Sequence, residues 1–424
     1  MSLMNLMNLR KSLRTIKTIK IWQFLKFGWG SIALLFLLLI TSCSLPKVSA
    51  ADRGFLDVNL EFLREYQLPK IDFQGTTVGG ISGITYDRAQ DVFYAISDDR
   101  SNYAPARFYT LKLALETPQL TSENDNDPVD NSRNNPVTPV IPVTPVTIEK
   151  VTFLKENGVT YPPNTIDAEG IILTPAGSVL ISSEGTSEAE PSIEEYDLET
   201  GNKKQSMPIP DRYLPKVNPS RGILPKSGFE SLAIVADGNT QSDPYRIFTA
   251  TESPLQQDLN PEDPDQLPPL RFLHYLITDT TPPLLISENL YQLDPAPPEA
   301  ISHGLSEIIA LPERGFFLSL EKSYGSKIPE APQEISAKIY QITTGPATDT
   351  SSIPSLRFLS PSFQPIRKKL VLDLATLGIK LDNLEAMSLG SRLADGSQSL
   401  ILVSDDNFNP EQVTQFLLFR IKVN

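Results

Sequence analysis

Acidic residues recur at fixed places in five copies of one short motif. In each copy a small or acidic residue precedes an apolar strand, and an acid ends the strand that follows. The copies span residues 81–99, 168–184, 229–252, 306–321 and 384–406. The first strand of a hairpin begins at the end where the second strand stops, so every copy should deliver its acids to one face of the molecule. Recurrence of a unit at this scale indicates a radial repeat.

Carboxylates that converge on one face repel one another, and burial raises their pKa values. Calcium (Ca²⁺) binds six to eight oxygen ligands and would relieve that repulsion. Zinc and copper are poor candidates because the chain has one Cys and two His. The alternative for any single acid is a hydrogen bond to a loop amide that ties neighbouring elements together. The predicted metal ligands are Asp98, Asp99, Glu169, Glu184, Glu230, Glu252, Glu307, Glu321, Glu385, Asp405 and Asp406.

Four residues near the acids are candidates for acting on a substrate. Arg100, Arg107 and Lys322 could hold a phosphate group, and a surface charge or a salt bridge is the alternative for each. His303 precedes the fourth motif copy and is a candidate general acid or base, or else a packed turn residue. The chain contains no Gly-x-Ser-x-Gly sequence, which argues against an α/β-hydrolase nucleophile.

The N-terminus predicts export. Residues 1–42 combine a basic region with a short apolar run, as a signal peptide does, and Cys43 follows Ile40-Thr41-Ser42 as the lipidated cysteine of a bacterial lipoprotein would. Ordinary cleavage after Ala50 and an uncleaved anchor are the alternatives. We expect a lipid-anchored protein in the periplasm or on the cell surface, with residues 43–53 as a tether and the anchor as its only contact with the membrane.

Composition and charge limit the classes of molecule that the protein can bind. The net charge is −14, and removing the basic signal peptide would make the mature protein more acidic still, which argues against nucleic acid as a partner. A single cysteine leaves no internal disulfide to stabilise the exported chain. A small phosphoester or ester substrate and a monomeric state fit these features.

The body of the chain, residues 54–424, is predicted to be all-β. Each motif gives two strands joined by a turn, and a third strand containing aromatic residues follows. Residues 117–147 are rich in Asn, Asp and Pro and are predicted to form a disordered surface insert. The last blade lacks a fourth strand at the C-terminus, and a strand near residues 55–63 could supply it and close the ring. The fold class is therefore a β-propeller with five blades, and the long spacing between copies leaves a degenerate sixth as the alternative.

The motifs resemble those of a known family. The segments 79–87, 94–100, 106–109, 167–170, 228–232, 250–253 and 383–386 are similar, in this order, to the phytase-like domain of bacteria, named for the esterase-like activity of phytase. The resemblance covers about residues 79–421. It implies a propeller fold and a phosphoesterase or esterase activity.

Two functions of different classes follow as hypotheses. The first is a calcium-dependent hydrolase of a phosphoester, or an ester, that works on an acid-lined channel face. The second is a non-catalytic propeller that binds a ligand or a protein there. A glycosidase with paired carboxylates is a further alternative.

Overall fold

In the part of the chain that the structure describes, the strands form five four-stranded antiparallel sheets and two short hairpins. The computed structural model describes residues 54–115, 146–215, 220–236, 238, 240, 242–262, 268–325 and 335–423. Residues 1–53, which include the predicted signal peptide, Cys43 and the tether, lie outside the described residues. Within the described ranges there is no α-helix, and no helix there is long and apolar enough to span a membrane.

Each sheet is one blade, and in the first four blades the strand order follows the chain. Blade 1 contains β4 (Ile81–Asp87), β5 (Val92–Ser97), β6 (Arg107–Leu113) and β7 (Val146–Phe153). Blade 2 contains β10 (Ala168–Leu173), β11 (Ser178–Ser183), β12 (Ser192–Asp197) and β13 (Lys203–Ser206). Blade 3 contains β14 (Phe229–Ala236), β15 (Tyr245–Thr251), β16 (Leu270–Ile277) and β17 (Leu284–Tyr291). Blade 4 contains β18 (Ser302–Ala310), β19 (Phe316–Tyr324), β20 (Ile335–Thr343) and β21 (Arg367–Asp373).

Blade 5 joins the two ends of the described chain. It contains β22 (Asn383–Arg392), β23 (Gln398–Asp405), β24 (Thr414–Val423) and β1 (Val58–Leu68). β1 pairs with β24 from Val58 opposite Val423 to Leu68 opposite Thr414. This pairing gives the edge of β24 a partner and confirms the predicted closure by an N-terminal strand.

Short elements connect the blades. The hairpins are β2 (Ile71–Phe73) with β3 (Thr76–Val78) and β8 (Lys155–Glu156) with β9 (Val159–Thr160). Single 3₁₀ turns cover Asp211–Tyr213, Gln256–Asp258 and Leu374–Leu377. In the predicted insert, Val146 and Thr147 already belong to β7, and residues 116–145 lie outside the described residues.

The blades are arranged in a ring. The first strand of each blade contacts the first strand of the next, in the order β4, β10, β14, β18 and β22, and β22 returns to contact β4. Apolar side chains fill the space between every pair of neighbouring blades in five separate clusters. Between blades 1 and 2, for example, Tyr94 and Phe108 pack against Ile171 and Tyr196. The structure thus confirms the five-bladed propeller, with the starts of the inner strands near its axis.

Candidate functional site

A β-bulge interrupts the inner strand of every blade near its start. The pairing skips Ser82 in β4, Glu230 in β14, Ser306 in β18 and Glu385 in β22. In β10 it skips both Glu169 and Gly170. A bulge places two residues opposite one and re-aims the extra side chain. The bulge therefore defines one equivalent position in all five blades.

The register corrects the alignment of the fourth motif copy by one residue. Leu305 pairs with Glu321, so Ser306 takes the bulge position in which the sequence analysis placed Glu307. A shift of one residue turns a strand side chain to the opposite face of the sheet. In the second strand of blade 4, Lys322 therefore takes the position that the sequence analysis assigned to Glu321. Blade 4 therefore presents a serine and a lysine where blades 2 and 3 present glutamates.

The same register defines a ring of second-strand residues, each of which directly follows the residue that pairs with the inner strand immediately before the bulge. We call it the strand-end ring; its members are Asp98, Glu184, Glu252, Lys322 and Asp405. The residues across from the ring on the inner strands are Gly80, Asp167, Gly228, Gly304 and Asn383. Three glycines allow close approach: a Cβ on Gly304, for example, would stand 2.4 Å from Cγ of Glu252.

These residues surround an open cavity of about 650 Å³ at the centre of the propeller, within the range of small-molecule sites. The central cavity is lined by Asp98, Arg100, Glu169, Glu184, Lys226, Ser227, Glu230, Glu252, Ser253, Ile301, Ser302, His303, Lys322, Tyr324, Asn383, Glu385, Asp405, Asn407 and Gln412. Seven of these side chains are acids and three are Lys or Arg. The structure therefore brings together most of the acids that the sequence analysis selected.

Burial and mutual repulsion raise the pKa values of the cavity acids. Desolvation, followed by the charges of Glu385 and Asp167, raises the pKa of Asp98 to about 8. Desolvation and the neighbouring acids likewise raise the pKa of Glu184 to about 8. The pKa values of Glu169 and Glu230 are raised well above the usual range for the same reasons. The same causes raise the pKa of Asp405.

Two sets of three acids approach closely enough to share a cation. Carboxylate oxygens of Asp167, Glu169 and Glu184 lie within 4.8 Å of one another, and so do those of Glu184, Glu230 and Glu252. Glu184 belongs to both sets. Glu169 is 7 % exposed, and no donor in the described part of the chain hydrogen-bonds to its carboxylate. Chemically, the arrangement can bind hard cations.

The three cations of the cavity differ in their surroundings. Arg100 donates from Nε to Oδ1 of Asp167 at 2.6 Å, and its side chain is 30 % exposed. Lys322 is buried and donates from Nζ to Oε1 of Glu385 at 2.5 Å and to Oδ1 of Asn383 at 2.9 Å. Lys226 is exposed at the rim. Two of the three positive charges are thus bound to acids of the cavity wall.

His303 lines the cavity with both ring nitrogens engaged. Nε2 lies 2.8 Å from the carbonyl oxygen of Asp294, which can only accept, so Nε2 carries the proton. Nδ1 then accepts from Oγ of Ser323 at 2.8 Å. The ring presents no free nitrogen for acid–base work in this arrangement.

Several predicted site residues lie away from the cavity and hold loops or strands. Asp99 and Arg107 form a buried ion pair of 2.6 Å. Asp406 pairs with Lys70. Each of these pairs satisfies a charge that burial would otherwise leave unpaired.

The two acids of blade 4 are held elsewhere as well. Glu321 accepts from the hydroxyl of Tyr291 at 2.7 Å and pairs with Lys368. Oε1 of Glu307 accepts from the backbone N–H of Ile308 at 2.9 Å and of Leu232 at 3.3 Å. Burial raises the pKa of Glu307 well above its usual range.

Sequence reasoning missed Asp167, Asn383 and Lys226. Asp167 and Asn383 each precede a selected glutamate by two residues, and alternate residues of a strand share a face, so the spacing to Glu169 and Glu385 was a usable signal. Lys226 lies in a loop and had no such pattern.

Comparisons with known proteins give one family. A family model described as "Phytase-like: Esterase-like activity of phytase" matches residues 76–408. None of the curated proteins compared with the chain matches it significantly.

Among solved structures, a member of the DUF4221 family from Bacteroides vulgatus is 10 % identical, with 87 % of this chain and 99 % of that chain covered and a TM-score of 0.36. An α-L-arabinofuranosidase from Lactobacillus brevis is 8 % identical over 82 % and 92 % of the two chains, with a TM-score of 0.39. A putative exo-β-1,3-galactanase from Bifidobacterium bifidum is 11 % identical over 85 % and 94 %, with a TM-score of 0.37. Likenesses this weak support no inference about function.

Proposed function

Because the chain belongs to the phytase-like family, we propose that it hydrolyses small phosphate esters in the central cavity with the help of bound calcium. Family and fold together support a hydrolase or a binding role for the propeller. The observation that carries the finer proposal is the carboxylate of Glu169. It is buried, lines the cavity among other acids and lacks a donor among the described residues, so its ionised form requires a cation as its partner.

The donor set fits calcium. Every ligand is a carboxylate oxygen, and oxygens within 4.8 Å of one another can contact one ion at about 2.3–2.6 Å. Because Glu184 belongs to both acid sets, two neighbouring ions would share it. When bound, calcium would supply positive charge to the phosphate oxygens and lower the pKa of a water molecule.

The basic residues of the cavity would have two roles, which are binding of the phosphate and positioning of other side chains. Arg100 uses Nε to bind Asp167, and its remaining N–H groups are available to an anionic phosphate. Lys226 is exposed at the rim and can attract the same anion. Lys322 donates two hydrogen bonds to the wall and His303 uses both ring nitrogens, so we assign them to positioning: Lys322 holds Glu385, and His303 connects Ser323 to the backbone of Asp294.

We also propose that the protein is exported and anchored through a lipidated Cys43. The basic and apolar pattern of residues 1–42 supports this proposal. Mass spectrometry of the membrane fraction tests the proposal, since an unmodified Cys43 would contradict it.

The test of function is an assay of the purified protein with p-nitrophenyl phosphate and p-nitrophenyl acetate, in calcium and in EGTA. We expect calcium-dependent turnover of the phosphate and a loss of at least about tenfold in Glu184→Gln. Glu199→Gln is the matched control because Glu199 is a surface acid whose side chain is 75 % exposed. Turnover that persists in EGTA, or no turnover of either ester in calcium, would contradict the proposal.

A second candidate is a non-catalytic propeller that binds a ligand in the same cavity. It is favoured by the engaged state of His303, whose ring nitrogens are both hydrogen-bonded and are therefore not free to act as a general acid or base. Calcium-dependent binding of inorganic phosphate without turnover of either ester would select this candidate.

A further inference from the structure

Two aromatic side chains from loops of different blades stack on each other next to residues that line the cavity. The rings of Tyr103 and Phe408 are 4.7 Å apart, centroid to centroid, with an interplanar angle of 27°. Phe408 is the inner ring of the pair. Tyr103 is 68 % exposed, which is a large exposure for a side chain of this size that already has a stacking partner.

The loop that carries Tyr103 is held rigidly by Asp99. Oδ1 of Asp99 accepts the backbone N–H groups of Asn102 at 2.7 Å and of Tyr103 at 3.1 Å. Oδ2 accepts the N–H of Ala104 at 2.9 Å and a hydrogen bond from Arg107 at 2.6 Å. Asp99 and Arg107 therefore position Tyr103, although neither faces the cavity.

A second acid holds the loop of Phe408 in the same way. Oδ1 of Asp406 accepts the N–H of Phe408 at 3.1 Å and that of Gly80 at 2.9 Å. Its other oxygen pairs with Lys70. Blade 5 and the start of blade 1 are thus connected at the point where Phe408 lies.

Both loops lead directly into the cavity. Arg100 and Asn407 line it, and they are close neighbours of Tyr103 and Phe408 in the chain. Gly80 gives a spatial link: a Cβ there would stand 2.1 Å from Oδ1 of Asp98 and 2.5 Å from Cε2 of Phe408. The inner ring of the stack therefore adjoins a member of the strand-end ring.

We infer that the outer face of Tyr103 binds a flat ring in the alcohol portion of the substrate, so that phosphate esters of aryl alcohols or nucleosides are preferred over alkyl esters. This inference rests on the proposed function, because the phosphate is taken to bind at Arg100. Stacking on an exposed aromatic ring is tolerant of the identity of the partner ring and needs only a flat face. A rigid, pre-formed platform loses little conformational freedom on binding.

Calorimetry with two phosphonates that cannot be hydrolysed tests the inference on the calcium-loaded protein. We expect phenylphosphonate to bind about tenfold more tightly than methylphosphonate. Tyr103→Ala should abolish this preference and leave the affinity for methylphosphonate unchanged, whereas Tyr103→Phe should retain it. Phe358→Ala is the matched control, since Phe358 is an aromatic residue with 83 % exposure that does not line the central cavity.

The outcomes separate this inference from the function on which it rests. A preference that Tyr103→Ala leaves intact, or equal binding of both phosphonates by the unaltered protein, overturns the inference about Tyr103 alone. Failure of both phosphonates to bind overturns the proposed function as well.

Discussion

Blades 2 and 3 place acids at positions where blade 4 places neutral and basic residues. At the bulge, Glu169 and Glu230 correspond to Ser306, and in the strand-end ring Glu184 and Glu252 correspond to Lys322. At these two positions, blades 2 and 3 therefore contribute only acids to the cavity wall, and we call this side the acidic half. Blade 4 contributes a lysine, Lys322, to the other half.

The comparison shows that the blade repeat fixes where the bulge and strand-end residues lie, whereas the charge of the residue at each position differs between blades. Although burial lowers the pKa of the Lys322 ammonium group, the charges of Glu385, Glu252 and Glu230 raise it above the usual range overall. Lys322 is therefore charged at neutral pH and acts as a covalently attached counter-ion, mainly for Glu385 of blade 5, to which it is hydrogen-bonded. On the side of blades 2 and 3, a bound metal ion would have that role.

The largest expected effect is the pH dependence of the calcium-free protein. The pKa values of Asp98 and Glu184 are raised to about 8 in the folded state, whereas these groups titrate near about 4 when unfolded. Between these values the folded state holds protons that the unfolded state has lost, so stability falls as the pH rises. We expect a loss of several kcal/mol (at most about 1.4 kcal/mol per proton and pH unit) between about pH 5 and pH 8 in urea unfolding with EGTA.

Saturating calcium should reverse that trend, because ion binding requires the deprotonated carboxylates. The same unfolding curves with calcium in place of EGTA provide the control. A flat profile in EGTA would contradict the raised pKa values of Asp98 and Glu184 and, with them, the crowding of uncompensated acids in this part of the cavity.

Lys322→Met should cost about 3–5 kcal/mol of unfolding free energy in EGTA, because it leaves Glu385 buried without its cation. The side chains of Lys322 and Glu385 are only 7 % and 13 % exposed. Lys204→Met is the control: Lys204 pairs with Glu195 but is 45 % exposed, so its loss should cost less than about 1 kcal/mol. Equal costs for the two variants would show that Lys322 is not the counter-ion of its half of the cavity.

Local pattern predicted most of the propeller. Alternating apolar residues and turn residues identified the strand pairs and the third strands, because both signals depend on neighbours in the chain. The closing strand followed from the missing partner of β24. The common face of the acids followed from hairpin geometry alone.

The fourth blade could not be aligned from sequence because a bulge adds a residue without a unique signature. Ser306-Glu307 and Glu321-Lys322 each place an acid beside the expected position, and only the pairing of Leu305 with Glu321 decides which residue faces the axis. The doublet Asp98-Asp99 posed a similar problem. Consecutive side chains diverge, so the first acid lines the cavity while the second holds a loop.

Glu169→Gln should weaken calcium binding by about tenfold and stabilise the calcium-free protein by about 1 kcal/mol. The opposite signs have one cause: the ionised carboxylate of Glu169 repels the neighbouring acids and also binds the ion, whereas a Gln side chain does neither. Calcium titration calorimetry and urea unfolding in EGTA measure the two effects. A variant that is destabilised in EGTA and still binds calcium normally would exclude Glu169 from the ion site.

The smallest effect is expected for Glu307→Gln, at the neighbouring motif position in blade 4. Burial raises the pKa of Glu307 and so disfavours its charged form, and a Gln Oε1 can accept the same N–H groups of Ile308 and Leu232. We expect a change within about 1 kcal/mol in urea unfolding and an unchanged calcium affinity. If Glu307→Gln lowers calcium affinity as much as Glu169→Gln does, the acid of blade 4 reaches the ion. The one-residue shift would then not separate the two halves of the cavity, because blade 4 would contribute a metal ligand as well as a lysine.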